Sequence, residues 1–503
     1  MYLGLDLGTS ELKALLLDDG HQIVASAGEA LTLQQPQPLW SEQHPADWWA
    51  ACDRLLLRLA AAHPAAMARV RAIGLSGQMH GAVLVDAQDQ VLRPAILWND
   101  GRSGDACAEL QRRVPRLLAI TGNLAMPGFT APKLLWVAQH EPAVFARVDG
   151  VLLPKDWLRL QLTGERISEM SDAAGTLWLD VAARRWSGEM LAACGLREAQ
   201  MPRLVEGSAP AGRLRPEWAR RWGLPAAVDG LPGVLLAGGG GDNAASAVGM
   251  GLVRPGQGFV SLGTSGVVFL AGAQFAPNPA RAVHAFCHAL PGRWHQMSVM
   301  LSAAASLRWA TRLLGQADEA SLLAQVATLD AGRRAAAPIF LPYLQGERTP
   351  HNNPQAQGVF FGLHGGHGAA DLGHAVIEGV AFGLADGWHA LGAQGVQALS
   401  LVGGGARSAL WAQLLADVLQ LPLQTHSGAA HGGALGAARL GWLADLGLAA
   451  GQGGASDEAI ARVCTVPPVA QRFLPDTSAS GWLAPRQARF AALYGALAPH
   501  FGR

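Results

Sequence analysis

Asp6-Leu7-Gly8-Thr9-Ser10 sets a carboxylate at the end of an apolar run and follows it with a glycine turn and two hydroxyls. Such a turn exposes backbone N–H groups, and with the Thr9 and Ser10 hydroxyls it can cradle phosphate oxygens. Asp6, beside the turn, could hold Mg2+, a hard cation that takes carboxylate and water oxygens. A plain hairpin turn would look the same. The pattern returns as Val260-Ser261-Leu262-Gly263-Thr264-Ser265. Two such turns facing one another could grip a polyphosphate from both sides.

Gly238-Gly239-Gly240-Gly241-Asp242-Asn243 follows the apolar Val234–Ala237. Glycines let the backbone approach a ligand closely. They also present Asp242 at a strand end, where functional residues gather in open α/β sheets. Asp242 could accept a hydroxyl proton as general base; a solvated turn carboxylate is the bland alternative. Gly239-x-Gly241-x-x-Ala244 also fits the dinucleotide fingerprint. That fingerprint needs an acid roughly 20 residues on to hold a ribose, and none lies between Asp242 and Asp318.

Gly403-Gly404-Gly405-Ala406-Arg407-Ser408 stands between a strand-like and a helix-like segment. A glycine turn opening a helix suits phosphate or a flat nucleotide moiety, although one glycine would satisfy a tight connection. Ser76-Gly77-Gln78-Met79-His80-Gly81 ends a short strand. Gln78 and His80 could hydrogen-bond a sugar, with Met79 as an apolar wall; a lone His is more often structural. Leu97-Trp98-Asn99-Asp100-Gly101-Arg102 could line a ligand or cap a loop, and Gly346–Asn352 could close over one or merely be solvated. In Met126–Trp136, Lys133 reads as a helix residue packing its stem on the core.

The elements that would position these groups alternate along the chain. Tyr2–Leu7 and Leu12–Leu17 read as a hairpin. Trp48–Ala61 has helical spacing, Val70–Leu75 reads as a strand, and Ala398–Val402 precedes the helical Leu410–Leu419. This is an α/β pattern. The echo of Leu-Gly-Thr-Ser in matching strand context reads as a duplicated domain. The break falls near 225–233, at Leu224-Pro225 and Leu231-Pro232-Gly233, giving units 1–232 and 233–503 with a ligand cleft between them. Residues 36–46 and 345–358 read as loops, and 450–457 as a Gly/Ser-rich surface connection.

Composition narrows the function further. A chain of 503 residues, half of them hydrophobic, is too long for one core. Its 38 basic residues balance 38 acidic ones, so no net field draws nucleic acid or an anionic membrane. Lysine is confined to Lys13, Lys133 and Lys155. No Gly-Lys-Ser or Gly-Lys-Thr exists, which excludes a P-loop. Five scattered cysteines form neither a disulfide framework nor a zinc site. The start lacks the form of a signal peptide. The apolar stretch at 433–451 is interrupted by Arg439 and Asp445. A cytoplasmic enzyme is the expectation.

Two segments resemble the signature regions of the FGGY family of carbohydrate kinases, in a likeness that covers essentially the whole chain. They are Phe129-Thr130-Ala131-Pro132-Lys133-Leu134-Leu135-Trp136 and Leu401–Ser408 continued by Leu414-Leu415-Ala416-Asp417. Trp40-Ser41-Glu42-Gln43, Gly77–Gly81, Trp98–Arg102 and Gly346–His351 are similar to segments of the family members that act on D-xylulose. The resemblance implies an α/β fold of two ribonuclease-H-like domains, of the actin and hexokinase type, around a central cleft. It implies ATP, Mg2+ and transfer of the γ-phosphate to the 5-hydroxyl of a five-carbon ketose. It makes Asp242 the catalytic base and Asp6 the Mg2+-associated carboxylate. Met79, His80, Asp242 and Asn243 become sugar contacts, with Gln78 beside them. Gly8, Thr9, Ser10, Gly263 and Thr264 fall at phosphates, and Gly404, Gly405 and Ser408 at the adenosine. A homodimer is also implied. Glu11 stands where the family usually has glycine, and it is expected to point to solvent. The near alternative is a related kinase acting on ribulose or another ketose or polyol. A nucleotide-gated binding protein of the actin or chaperone kind and a dinucleotide oxidoreductase are the alternatives from other classes.

Overall fold

The computed structural model describes residues 1–227, 232–427, 431–451 and 454–502. Part of the expected break at 225–233 and part of the 450–457 connection lie outside the described residues. Strand β1 (Tyr2–Leu7) turns back into β2 (Glu11–Leu17), an antiparallel hairpin whose register sets Asp6 opposite Lys13. Apolar side chains buried on both faces, Leu3, Leu5 and Leu16 on one and Tyr2, Leu15 and Leu17 on the other, put this hairpin at the centre of a sheet. On one side it is extended by β3 (Ile23–Ala30) and on the other by the parallel β4 (Ala72–Gly77). Beyond β4 come β5 (Pro210–Arg213) and β6 (Leu235–Ala237), giving the order β5-β6-β4-β1-β2-β3. The two-residue β7 (Gly240–Gly241) pairs with the carboxyl end of β4.

The second sheet is built from β8 (Gly258–Leu262), β9 (Gly266–Gly272), β10 (His284–Cys287), β11 (Trp294–Met300), β12 (Leu399–Val402), β13 (Leu423–His426) and β14 (Val469–Phe473). Its order is β10-β11-β9-β8-β12-β13-β14. The path β3-β2-β1-β4-β6-β5 is repeated by β11-β9-β8-β12-β13-β14. Both run through antiparallel, antiparallel, parallel, parallel and antiparallel steps. The two Gly-Thr-Ser segments are therefore the same turn of two like sheets, β1–β2 and β8–β9.

Nine of the helices surround the two sheets and the space between them. They are α1 (Pro45–Ala62), α2 (Thr130–His140), α3 (Pro154–Thr163), α4 (Met170–Ala174), α5 (Asp242–Gly249), α6 (Ala304–Leu313), α7 (Ala369–Leu391), α8 (Ala409–Leu419) and α9 (Gly432–Ala449). Helices α1 and α3 bury Trp48, Leu55, Leu56, Leu158 and Leu162 on one side of the first sheet. Helix α7 is covered on nearly every side and packs on β9 and β11 of the second.

The halves do not divide at 232/233. Leu235–Ala237 is an apolar run that buries itself beside β4, so the chain beyond residue 232 completes the first sheet. Asp242 consequently follows from the first sheet rather than the second. Helix α9 also returns from the far end of the chain to pack on β1 and β4. There Ala434, Ala437 and Ala438 lie against Gly4 and Gly74. A further apolar cluster joins Met79 and Phe129 to Phe259, Phe269, Phe286 and Met297, beneath the space between the sheets.

Candidate active site

A cavity of about 260 Å³ opens between the two sheets. The first half supplies Met79, His80, Trp98, Met126, Phe129, Asp242 and Asn243. From the second half come Ser261, Ser265, Val267, His284, Phe286, Met297, Val299 and Arg348. Strand geometry explains that wall: His284 and Phe286 alternate along β10, and Met297 and Val299 along β11, so each pair shares one face.

Asp242 is the first residue of α5. Its Oδ1 accepts hydrogen bonds from the Asn243 backbone N–H at 2.7 Å and Asn243 Nδ2 at 2.9 Å. Oδ2 has no hydrogen bond among the described residues, and the residue lines the cavity. Withdrawal from bulk water, then the nearby Asp6 carboxylate, pushes Asp242 up to about 6. It is therefore an ionised acceptor at neutral pH, close enough to neutrality to take a proton.

Asp6, next to last in β1, accepts the Ser76 hydroxyl at 2.8 Å. Burial raises its carboxyl, while Ser76 and Lys13 pull it down. Lys13 carries no clear signal in sequence; only the hairpin register sets it opposite Asp6. Two neighbouring carboxylates with one lysine beside them leave local negative charge. The described residues hold no cluster of three or more His, Cys, Asp or Glu able to cage a metal. A recessed carboxylate without a protein cage fits Mg2+, which keeps its waters and takes phosphate oxygens.

His80 adopts a left-handed backbone, φ 67°, and its Nδ1 lies 2.6 Å from the Gly175 carbonyl. A carbonyl only accepts, so Nδ1 carries the proton. Burial and Lys133 hold the ring neutral, pushing it down to about 3. Nε2 is then a lone-pair acceptor for a hydroxyl. Lys133 is fully buried, and its ammonium donates to the His80 carbonyl at 2.8 Å and the Gly128 carbonyl at 2.6 Å. It fixes the backbone that carries His80 rather than packing its stem with the head in water.

Gln78 is not on the cavity. Its Nε2 donates to Gln43 Oε1 at 3.0 Å, and its Oε1 accepts from Thr9 Oγ1 at 2.9 Å. Where a sugar contact was expected, these two bonds tie Gln78 to the first turn. The backbone bends at Met79 and the left-handed His80, so adjacent residues face different ways. Trp98 connects the two regions: its ring lines the cavity and its Nε1 donates to Thr9 Oγ1 at 3.0 Å.

In the first turn, the Gly8 N–H is spent on the Glu11 carbonyl at 3.0 Å. The N–H groups of Thr9 and Ser10 have no partner among the described residues. In the second turn the same holds for Thr264 and Ser265, while the Gly263 and Thr264 carbonyls accept from the start of α6. The Glu11 side chain is 42% exposed, as expected, and on its way to solvent it lies across Gly28 of β3, 3.7 Å from Lys13 Nζ. At the end of β12, Gly405 packs on Leu262 of β8, and Ser408 caps α8 by accepting from Trp411 N. The glycine segment thus lies directly beside the second turn.

Arg348 was legible only as part of a polar loop. Here its guanidinium reaches the cavity and its Nη1 lies 3.4 Å from His284 Nε2. His284 Nδ1 donates to Asn123 Oδ1 at 3.1 Å, because that oxygen also accepts from Ala285 N. Burial and then Arg348 keep His284 well below the usual imidazole range, hence neutral. Arg348 forms no ion pair among the described residues.

Residues 1–249 match the N-terminal domain, and residues 258–444 the C-terminal domain, of the FGGY family of carbohydrate kinases. The sequence is 51% identical over 502 residues to the xylulose kinase of Escherichia coli, covering 99% of both chains. It is 52% identical to that of Klebsiella pneumoniae over 503 residues, again covering 99% of both. The crystal structure of a xyloylose kinase from Brucella ovis superposes with a TM-score of 0.93 at 50% identity, covering 99% of each chain.

Proposed function

The chain belongs to the FGGY family of carbohydrate kinases, and from that premise we propose that it transfers the γ-phosphate of ATP to the 5-hydroxyl of D-xylulose. The products are D-xylulose 5-phosphate and ADP. The observation that carries the reading is Asp242, whose Oδ2 has no hydrogen bond among the described residues, on the wall of a cavity that it shares with Met79, His80 and Asn243. High identity to enzymes named xylulose kinase supports the choice of sugar.

The sugar lies on Met79, donates one hydroxyl to His80 Nε2 and sets its terminal hydroxyl at Asp242. The free N–H groups of Thr9, Ser10, Thr264 and Ser265 take phosphate oxygens, and the Gly404, Gly405 and Ser408 segment holds the adenosine. Asp6 would hold Mg2+, which when bound neutralises phosphate charge. As the 5-oxygen forms its bond to the γ-phosphorus, the bond from phosphorus to the bridging oxygen breaks. Asp242 takes the hydroxyl proton late, and ADP leaves with the electron pair. Positioning and charge neutralisation supply most of the catalysis in such transfers, and a closed cavity keeps water from competing.

A coupled ADP-release assay with Mg-ATP tests the reading against D-xylulose, L- and D-ribulose, D-fructose, glycerol, gluconate and a sugar-free control. Preferred turnover of D-xylulose is expected. Preference for another of these compounds would overturn the assigned sugar while leaving the kinase chemistry.

A further inference from the structure

Behind the cavity, the mechanism leaves a cluster of buried charges unused. Lys155, Asp156, Arg159, Glu169 and Asp172 are all fully buried. Lys155 Nζ lies 2.7 Å from Asp156 Oδ1, 3.0 Å from Asp172 Oδ2 and 3.3 Å from Glu169 Oε1. Such a cluster is a poor source of stability, because apolar residues of similar volume would often do as well. What it can provide is a fixed geometry, since displacing any one partner strands a charge in low dielectric.

That geometry is passed to the cavity through α4, which meets the neighbour of Asp242 at its start and His80 at its end. At its start, Glu169 accepts from Ser171 N at 2.7 Å and Asp172 N at 2.9 Å, and from the Ser171 hydroxyl at 2.8 Å. With its proton given to Glu169, Ser171 Oγ accepts the Gly241 N–H at 3.1 Å. Gly241 is the residue before Asp242. Arg159, from the same cluster, donates to the Ala237 and Gly238 carbonyls of the same loop. At the other end, Gly175 closes the helix, and its carbonyl accepts His80 Nδ1–H. A Cβ on Gly175 would lie 2.6 Å from His80 Nδ1 and 3.0 Å from Met79 Cε.

We infer that α4, clamped by the Lys155 cluster, is a positioning brace that sets Asp242 through Ser171 and His80 through the Gly175 carbonyl. The base at the reacting end of the sugar and the imidazole farther along are thereby held at one spacing by one rigid element. Ser171 touches neither sugar nor nucleotide and is not catalytic. The inference rests on the sugar-kinase reading above.

Because the two ends serve different steps, two variants separate kinetically. Ser171→Ala frees the Gly241 peptide and lets Asp242 drift; a misplacement on the ångström scale costs about 10²-fold in turnover. Its KM for D-xylulose should stay within about threefold, since the proton acceptance that is lost matters only in the transition state. Gly175→Ala displaces His80 and Met79, raising KM about 10-fold or more with a smaller effect on kcat. The near-isosteric Ser171→Cys keeps the shape with a weaker hydrogen bond, and should lose kcat by an intermediate factor; it carries the test if the alanine variant does not fold. Tm and the Kd of a non-hydrolysable ATP analogue are measured alongside, and both should remain near wild type in the folded variants. The brace is overturned if Ser171→Cys and Gly175→Ala lose kcat and KM in the same proportion, or keep wild-type values for both. Turnover of D-xylulose by the wild-type enzyme is read separately, so loss of the brace and loss of the proposed sugar are distinct outcomes. If another sugar is preferred, the same comparison is made on that sugar.

Discussion

The Asp6 carboxylate lies against the bare Cα of Gly433: a Cβ on that glycine would sit 2.7 Å from Asp6 Cγ and 3.0 Å from Oδ1, and closer still to Oδ2. Gly433 is in the first turn of α9, which is the element that returns from the far end of the chain to the first sheet. Within a helix, Gly→Ala ordinarily stabilises by roughly 0.5–1 kcal/mol. Here the added methyl must push the carboxylate aside or lift the helix. Gly433→Ala should therefore lower kcat about 10-fold or more while raising the Mg2+ concentration needed for half-maximal rate. A Mg2+ titration of the ADP-release rate measures both. Unchanged values would show that Asp6 tolerates displacement and is not the Mg2+-associated group.

Asp242→Asn keeps an Oδ1 for the Asn243 donors and removes the proton acceptor. Turnover should fall by at least about 10²-fold, the usual contribution of a general base. A variant with most of its kcat would remove Asp242 from that role.

The same carboxyl predicts two pH effects. With the free-enzyme group raised from 3.8 to about 6, kcat/KM should rise with pH and level off above about 6. Stability moves oppositely. Between about 4 and about 6 the folded chain holds this proton while the unfolded chain has lost it, so the contribution falls as pH rises through that window. Asp242→Asn escapes the penalty. Its Tm should exceed wild type at pH 8, with the gain gone by pH 4. Thermal scans at both values decide it, and a constant difference would refute the linkage.

Much of this arrangement could be read in the sequence because it is local. The hairpin at Asp6, the glycine run before Asp242 and the repeated turn are each written in a few adjacent residues. What was not legible depends on long-range pairing. His284, Phe286, Met297 and Val299 form a cavity wall only because β10 and β11 pair and face the other sheet. The division at 232/233 failed because the prolines near it mark a connection inside the first sheet, not its end. The bonds of Gln78 beneath the first turn were not legible because adjacency to His80 does not give side-chain direction where the backbone turns left-handed. Lys133 and Lys155 look alike in sequence, yet one holds the His80 backbone and the other the charge cluster behind α4.

Gln78 as a brace makes a prediction different from Gln78 as a sugar contact. Gln78→Leu removes the acceptor for Thr9 Oγ1 and frees Gln43, both beneath the first turn. The KM for ATP should rise, by roughly the 5- to 10-fold that one hydrogen bond of about 1–1.5 kcal/mol supports. The KM for the ketose should change less. Steady-state kinetics with each substrate varied in turn gives both values, and a larger effect on the sugar would restore the direct contact.

Arg348 offers the cavity a guanidinium whose Nη1 alone is engaged, with His284, among the described residues. All its groups are donors. A ketose carbonyl only accepts, whereas the hydroxyl at the same carbon of the matching polyol can also donate to a neutral acceptor. The guanidinium should therefore favour the ketose. Arg348→Met keeps bulk and removes the donors, so kcat/KM for D-xylulose should fall about 10- to 10²-fold, as expected for a hydrogen bond to a charged group. Activity on xylitol should fall less, narrowing the ratio between the two compounds. His284 guards against a merely structural explanation: His284→Phe preserves the packing on Phe286 but frees Arg348 Nη1, and should leave the ketose-to-polyol ratio closer to wild type than Arg348→Met does. Equal losses on both compounds in Arg348→Met would mean that the arginine shapes the cavity without reading the carbonyl.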